Sequence, residues 1–384
     1  CLLLDADSRE AKLTTILIIS PEPWHGNFVS KHHYAMNLAD MGHEIIFFGP
    51  PEMNSVISFD CVFSTNGSLH VLHSPPVIKG LRFFPVVMRR YFERRWLLNI
   101  ESSFGKKIDI IWSFENSRFY DFSFAGSRLK LYQQVDLNQD FHPEVAAATA
   151  DLSIAISEPI EDRLSPVTNN LVRITHGCAS VKVCERKVNN IEQFFEKWRV
   201  NVILTGNLDI PYLDISLINQ LVSAFPDVGF HFIGPYHPGK GLHLDVGSKD
   251  NAVFWGKCPS DSLHNYFQFA DILLVTYLAD KHREQLANPH KIMEYLASGK
   301  CVLATYTMEY DGREDLIEMA SNRDEFIKKF LNIVRCPSAW NSPELMSYRQ
   351  NFANSNSYPR QIERIADALG ERGHLLSSRI FHDE

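Results

Sequence analysis

The chain has 384 residues, 45% hydrophobic and 22% charged, with 38 basic against 46 acidic side chains and a formal net charge of −8. This length suits two domains of ordinary size, and the acidic balance excludes a general nucleic-acid binder. Seven scattered cysteines without a C-x-x-C pair point to reduced thiols in a cytoplasm-like compartment, and no apolar run reaches bilayer length.

Residues 1–12 begin with Cys1 and read as a poorly structured leader or remnant. Residues 14–20 (TTILIIS) form a continuous β-branched run, expected as a central parallel strand. A loop, PEPWHGN, leads to a helix over residues 28–41, and Gly42-His43 turns the chain into a second strand at 44–48. This β-loop-α-β opening is Rossmann-like, but it lacks G-x-G-x-x-G, which disfavours a nicotinamide dehydrogenase.

Residues 81–96 (LRFFPVVMRRYFERRW) interleave Arg82, Arg89, Arg90, Arg94 and Arg95 with Phe83, Phe84, Tyr91, Phe92 and Trp96. On one helix this suits an anionic membrane surface or an anionic lipid-linked substrate; a core helix with a solvated basic face is the other reading. Strands follow at 108–114, ending at Glu115, at 129–135, ending at Asp136, at 150–156 and at 172–175, closing at His176-Gly177. The strand–helix rhythm lapses over residues 179–198, where the domain junction is placed.

The second half restarts the pattern. Strands are expected at 202–205, 230–233, 253–255 and 271–276, with helices at 215–225 and 263–269. Residues 288–305 (NPHKIMEYLASGKCVLAT) then carry the chain's central motif. Asn288 is expected to cap a helix, Pro289 to fit its first turn, and Ile292, Tyr295 and Leu296 to form its buried stripe. Gly299 stops the helix before a buried strand at 301–305. Lys291 and Glu294, three apart on the exposed face, sit beside a helix N-terminus that attracts phosphate, with the carboxylate suited to two sugar hydroxyls. Such a cradle fits a nucleoside diphosphate; a surface Lys–Glu pair is the plain alternative. Helices at 348–352 and 362–369 close the chain. The expected architecture is α/β, two parallel-sheet domains facing a cleft.

The segments GHEIIFFGP, ADLSIAISEPIEDRL, ITHG, VILTGNL, FHFIGP, FWGK, ADILLVTY and PHKIMEYLASGKCVLAT, in this order, resemble GT-B glycosyltransferases, in particular the bacterial cell-surface-glycan enzymes of glycosyltransferase family four, group one. The similarity extends over most of residues 13–369, and the order of the segments carries it. It implies an N-terminal Rossmann-like acceptor domain at 13–178, a nucleotide-sugar domain at 199–340, and C-terminal helices at 341–384 packing back towards the first domain. Glu294 would bind the donor ribose and Lys291 the donor phosphate. Asn288 and Pro289 would line the diphosphate, and Gly234 and Lys257 would flank the base. The chain departs from many relatives at Leu286, where they place a Glu eight residues before the ribose-binding Glu. It also departs at Asn207, Leu208 and Asp209, which replace an Arg-plus-Lys clamp. Lys281, His282, Arg283 and Lys291 remain to meet the phosphate charge.

Glycosyl transfer through an oxocarbenium-like state needs positive charge at the leaving diphosphate and, for inversion, a base at the acceptor hydroxyl. Asp136, at the end of a first-domain strand, is the first candidate base, Glu115 the second and His25 the third. Trp24 offers a sugar-stacking face, or else a core ring, and Gly26 and Asn27 complete the expected acceptor loop. The histidines have no metal-ligand spacing, and the lone D-x-D, Asp5-Ala6-Asp7, lies in the leader. No cofactor or metal is expected beyond a UDP- or GDP-sugar as substrate. The expectation is a cytoplasmic, metal-independent hexosyltransferase of cell-envelope polysaccharide biosynthesis, with peripheral attachment to the inner membrane face through residues 81–96 left open. A non-hydrolysing nucleotide-sugar 2-epimerase and a non-catalytic nucleotide-sugar or glycan binder are the alternatives.

Overall fold

A computed structural model describes residues 13–26, 28–179, 191–237, 249–259 and 262–377. The leader, with its Asp5-Ala6-Asp7, and the acceptor-loop residue Asn27 lie outside them, as does most of the expected junction. The chain divides into two compact units: one runs to Ile156 and adds Ile160–Ile174 and the segment from Tyr358 on, and the other comprises Ser157–Pro159 and Thr175–Ser357.

The first unit is built on β1 (Thr15–Ile19), β2 (Glu44–Phe48), β3 (Ser58–Ser64), β4 (Ser68–His73), β5 (Ile110–Ser113), β6 (Leu129–Gln134), β7 (Leu152–Ala155) and β8 (Leu171–Arg173). Their order in the sheet is β3-β4-β2-β1-β5-β6-β7-β8. Helices α1 (Ser30–Asp40), α2 (Val86–Phe104), α3 (Pro143–Thr149) and α4 (Glu158–Leu164) connect them. Every residue of β1 is buried, as its unbroken β-branched run requires of a strand covered on both faces. The register is pinned by carboxylates at strand entrances: Asp109 Oδ2 accepts the Thr15 N–H at 3.0 Å, and Asp151 Oδ2 accepts that of Lys130 at 2.8 Å.

The first unit departs from the expectation at its sheet edge and at the 81–96 helix. The first sheet is not wholly parallel: β3 pairs antiparallel with β4 at its edge. Most residues of β3 are exposed, so its short apolar pattern does not stand out as a buried strand would. The hairpin turn depends on Gly67, where a Cβ would stand 2.1 Å from the His43 carbonyl. The expected helix at 81–96 is also broken. Leu81–Phe83 forms a single tight turn, and α2 begins only after Pro85, which has no N–H to continue a helix, then runs on to Gly105 (φ 79°).

The second unit contains β9 (Val200–Thr205), β10 (Val228–Ile233), β11 (Ala252–Gly256), β12 (Ile272–Val275), β13 (Cys301–Thr305) and β14 (Glu318–Ala320). They form a parallel sheet in the order β11-β10-β9-β12-β13-β14. Its helices are α5 (Ile191–Phe195), α6 (Ile215–Ala224), α7 (His264–Phe267), α8 (Lys291–Ser298), α9 (Arg323–Arg335), α10 (Pro337–Trp340) and α11 (Pro343–Ser355). The strand-entrance device recurs, with Asp271 Oδ2 accepting the Asn201 N–H at 2.8 Å. Buried Arg349 of α11 donates to the carbonyls of Leu316 at 3.2 Å, Gly299 at 3.0 Å and Trp340 at 2.9 Å. It thereby fastens α11 to the end of α8. Helix α12 (Tyr358–Ala368) belongs to the first unit, where the Tyr358 ring stacks on His33 of α1 at 4.9 Å.

Candidate functional site

In the second sheet the strand order reverses between β9 and β12, and in open α/β sheets ligands bind beyond the strand carboxyl ends at such a point. Lys291 occupies it. The exposed Lys–Glu face expected of this helix is therefore half corrected. Lys291 turns inward, its Nζ donating to the Thr205 carbonyl of β9 at 2.6 Å and lying 4.9 Å from the centre of the Tyr277 ring just past β12. Burial works against this ammonium, but Tyr277 and Tyr295 outweigh it and raise the pKa above the usual lysine value. Lys291 is a fixed cation at the switch point.

The helix also starts later than expected. Its cap is His290, in helical conformation and without a side-chain cap bond, so Asn288 and Pro289 precede the helix. Glu294 is partly exposed, one turn in, with an oxygen 3.8 Å from Nδ1 of His290, whose ring meets that of His176 edge-on at 4.9 Å. Beneath them, Tyr295 takes the Thr205 N–H on its hydroxyl at 2.9 Å. Gly206 (φ 117°) ends β9, and Gly234 (φ 148°) ends β10; a Cβ on Gly234 would lie 1.8 Å from the Gly206 carbonyl oxygen. The strand ends thus press together in a way only glycine permits. Lys257 stands exposed after β11. Arg283 is exposed and held against Tyr306, donating to its hydroxyl at 2.8 Å with the guanidinium 4.3 Å over the ring.

In the first sheet the order reverses between β1 and β5. Arg118 fills that point, donating to the carbonyls of Ser20 at 2.9 Å and Gly49 at 3.0 Å and clasping Glu115 through Nε and Nη2. Glu115 is buried, and its other oxygen accepts the Arg118 N–H at 2.7 Å and the Ser117 hydroxyl at 3.2 Å. A carboxylate so saturated is a structural partner, not a base awaiting a proton. Asp136 is exposed at the end of β6, with Oδ1 accepting the Asn138 N–H at 2.8 Å in a local turn. His25 and Gly26 are exposed in the loop after β1. Trp24 takes the core reading: its ring meets Phe28 at 5.2 Å and Phe47 at 5.0 Å, both edge-on, and His32 at 5.4 Å. It has no open face for a sugar.

Lys31, which the sequence did not single out, is buried in the first turn of α1 and paired with Glu22. Burial lowers its pKa, against the opposing fields of Glu22, Asp136 and Glu115. No periodicity marks an inward lysine, because its helical position alone does not reveal the strand ends beneath it. Among the described residues, no group of three or more His, Cys, Asp or Glu is placed to hold a metal ion.

No family model matches the chain, and no curated protein matches it in sequence. Its fold does have close counterparts among solved structures. Sucrose-phosphate synthase from Thermosynechococcus elongatus superposes with a TM-score of 0.65 at 13% identity, over 92% of this chain and 98% of that one. The Escherichia coli trehalose-6-phosphate protein bound with UDP-2-fluoro glucose gives 0.66 at 12% identity, over 92% and 99%. A glycosyltransferase from Rickettsia africae gives 0.64 at 14% identity, over 94% and 98%. The fold is GT-B.

Proposed function

We propose that this GT-B chain is a metal-independent glycosyltransferase that moves a hexosyl group from a nucleotide sugar to a glycan or lipid-linked acceptor in cell-surface polysaccharide synthesis. The observation that carries it is Lys291, a partly buried ammonium held at the switch point of the second sheet beside the N-terminus of an eight-residue helix. Together they offer the positive charge a departing diphosphate requires. Glu294, one turn along, takes the ribose hydroxyls, with Asn288 and Pro289 beside the diphosphate and Gly234 and Lys257 beside the base. Arg283 adds a second cation. UDP- and GDP-sugars are the donors proposed, and one of the solved neighbours holds a UDP-sugar analogue.

In the first unit Asp136 is the proposed base. It is the exposed carboxylate of the pair considered, whereas Glu115 is consumed by Arg118. His25 and Gly26 lie in the loop proposed to meet the acceptor.

Incubating the protein with radiolabelled UDP- or GDP-sugars and a cell-envelope lipid extract tests the function. Label appearing in the lipid or glycan fraction, and lost with Asp136→Asn, is the expected result. Interconversion of the donor sugar without acceptor would instead establish the epimerase, and donor binding without turnover the non-catalytic binder.

A further inference from the structure

Helix α2 is inverted only in its first turns, since Trp96, Leu97 and Ile100 further on are buried in the ordinary way. Its buried residues include Arg89, Glu93 and Glu101, while the face turned to solvent is largely apolar at its N-terminal end. Val87 is 78% exposed and Tyr91 59%, one turn apart on one stripe, with Val86 and Met88 exposed beside them. Phe83, in the turn before Pro85, is 76% exposed. Scattered apolar side chains on a surface need no explanation, but a contiguous set at one helix end does.

Within residues 79–104 the exposed charges all have one sign. Between residues 79 and 104 the only carboxylates are Glu93 and Glu101, and both are buried. Glu93 faces Arg89 at 3.6 Å, and Asp121 takes Arg89 at 3.2 Å and Arg90 at 2.8 Å, so the acidic groups are spent inside the fold. Lys79, Arg82, Arg94 and Arg95 are exposed. The Arg82 guanidinium lies 4.8 Å from the Phe83 ring centre, which leaves the charge at the rim of the apolar tip. In a chain of net charge −8 this is a local reversal of sign.

We propose that the start of α2 and the turn before it form a docking surface for an anionic bilayer. Phe83, Val86, Val87, Met88 and Tyr91 enter the acyl boundary, and Lys79, Arg82, Arg94 and Arg95 lie at the headgroup level. Charge complementarity selects this occupant. Long basic side chains beside exposed apolar ones match a negatively charged interface that is apolar just below its surface. Among the described residues no helix is long and apolar enough to cross a membrane, so the contact is with one face of the bilayer. The surface does not depend on the donor reading, and it stands or falls by a separate experiment.

That experiment is co-sedimentation of the full chain with vesicles of phosphatidylcholine, with and without phosphatidylglycerol. The wild type should sediment with the anionic vesicles, and high salt should release it in part. Replacing Arg82, Arg94 and Arg95 together by Ser should lower the partition coefficient roughly a hundredfold, since each basic residue contributes about a fivefold factor near such a surface. Val87→Trp reports insertion: its fluorescence should shift to the blue on anionic vesicles only. All the residues changed are exposed, so folding is not at stake. Equal partition of wild type and the triple variant would overturn the proposal. So would an unshifted Val87→Trp emission, or self-association through the patch that Tyr91→Ser abolishes.

Discussion

Glu93 should make the first unit less stable as the pH rises, and the change is large enough to isolate. Its carboxyl lies in the buried face of α2, and burial pushes its pKa from 4.5 up to about 8, although Arg89 opposes the shift. Because the folded-state value lies above the unfolded one, the folded state binds the proton more tightly. The stabilisation is therefore complete below pH 4.5 and is lost as pH rises through about 8. The difference between the two values corresponds to about 3–5 kcal/mol across that window. Glu93→Gln keeps the shape and removes the titration. Hydrogen exchange of the Leu97 and Ile100 amides, which lie on the same buried face, should report it. The wild type should match or exceed the variant at pH 5 and fall behind it by pH 9. A difference between the two that stays flat from pH 5 to 9 would show that Glu93 is ionised throughout, paired with Arg89, and would refute the reasoning.

Two further substitutions probe the strand ends. Gly234→Ala places a Cβ 1.8 Å from the Gly206 carbonyl oxygen at a φ of 148°, so the second unit should lose about 3 kcal/mol or more in urea unfolding. Arg118→Met strips a buried carboxylate of its partner and should cost the first unit about 3–5 kcal/mol. Adding Glu115→Gln should recover much of that loss, and failure to recover would mean the contacts of Arg118 with the Ser20 and Gly49 carbonyls dominate.

The central strands of each sheet were legible where they are unbroken apolar runs with no polar face to confuse their period. TILII of β1 and EIIFF of β2 fall where the residues alone place them. The β3–β4 hairpin was not: Phe59, Cys61 and Phe63 alternate in SFDCVFS, but most of that edge strand is exposed and its apolar pattern is short. Around α8 the helix and its Gly299 stop were readable, but the inward turn of Lys291 was not. Helical spacing says which side chains are neighbours along the helix, and it is silent on the Thr205 carbonyl a strand away. Glu115 misleads for a similar reason: a carboxylate at a strand end looks available until Arg118, three residues on, is seen to close round it. In α2 the residue types mislead in part, because Arg89, Glu93 and Glu101 are inside and Val86 and Val87 outside.

Calorimetric titration of UDP and GDP into the full chain, with Glu294→Ala and Lys291→Ala measured alongside, tests the donor cradle most directly. The wild type should bind one of the two, and at 100 times the dissociation constant the nucleotide should add about 2.7 kcal/mol of stability in thermal unfolding. Glu294→Ala should weaken binding while leaving the unliganded fold intact, because its carboxylate is partly exposed. If neither nucleotide binds, or if both variants bind as tightly as the wild type, the N-terminus of α8 is scaffold and the proposed transfer chemistry has no donor site here.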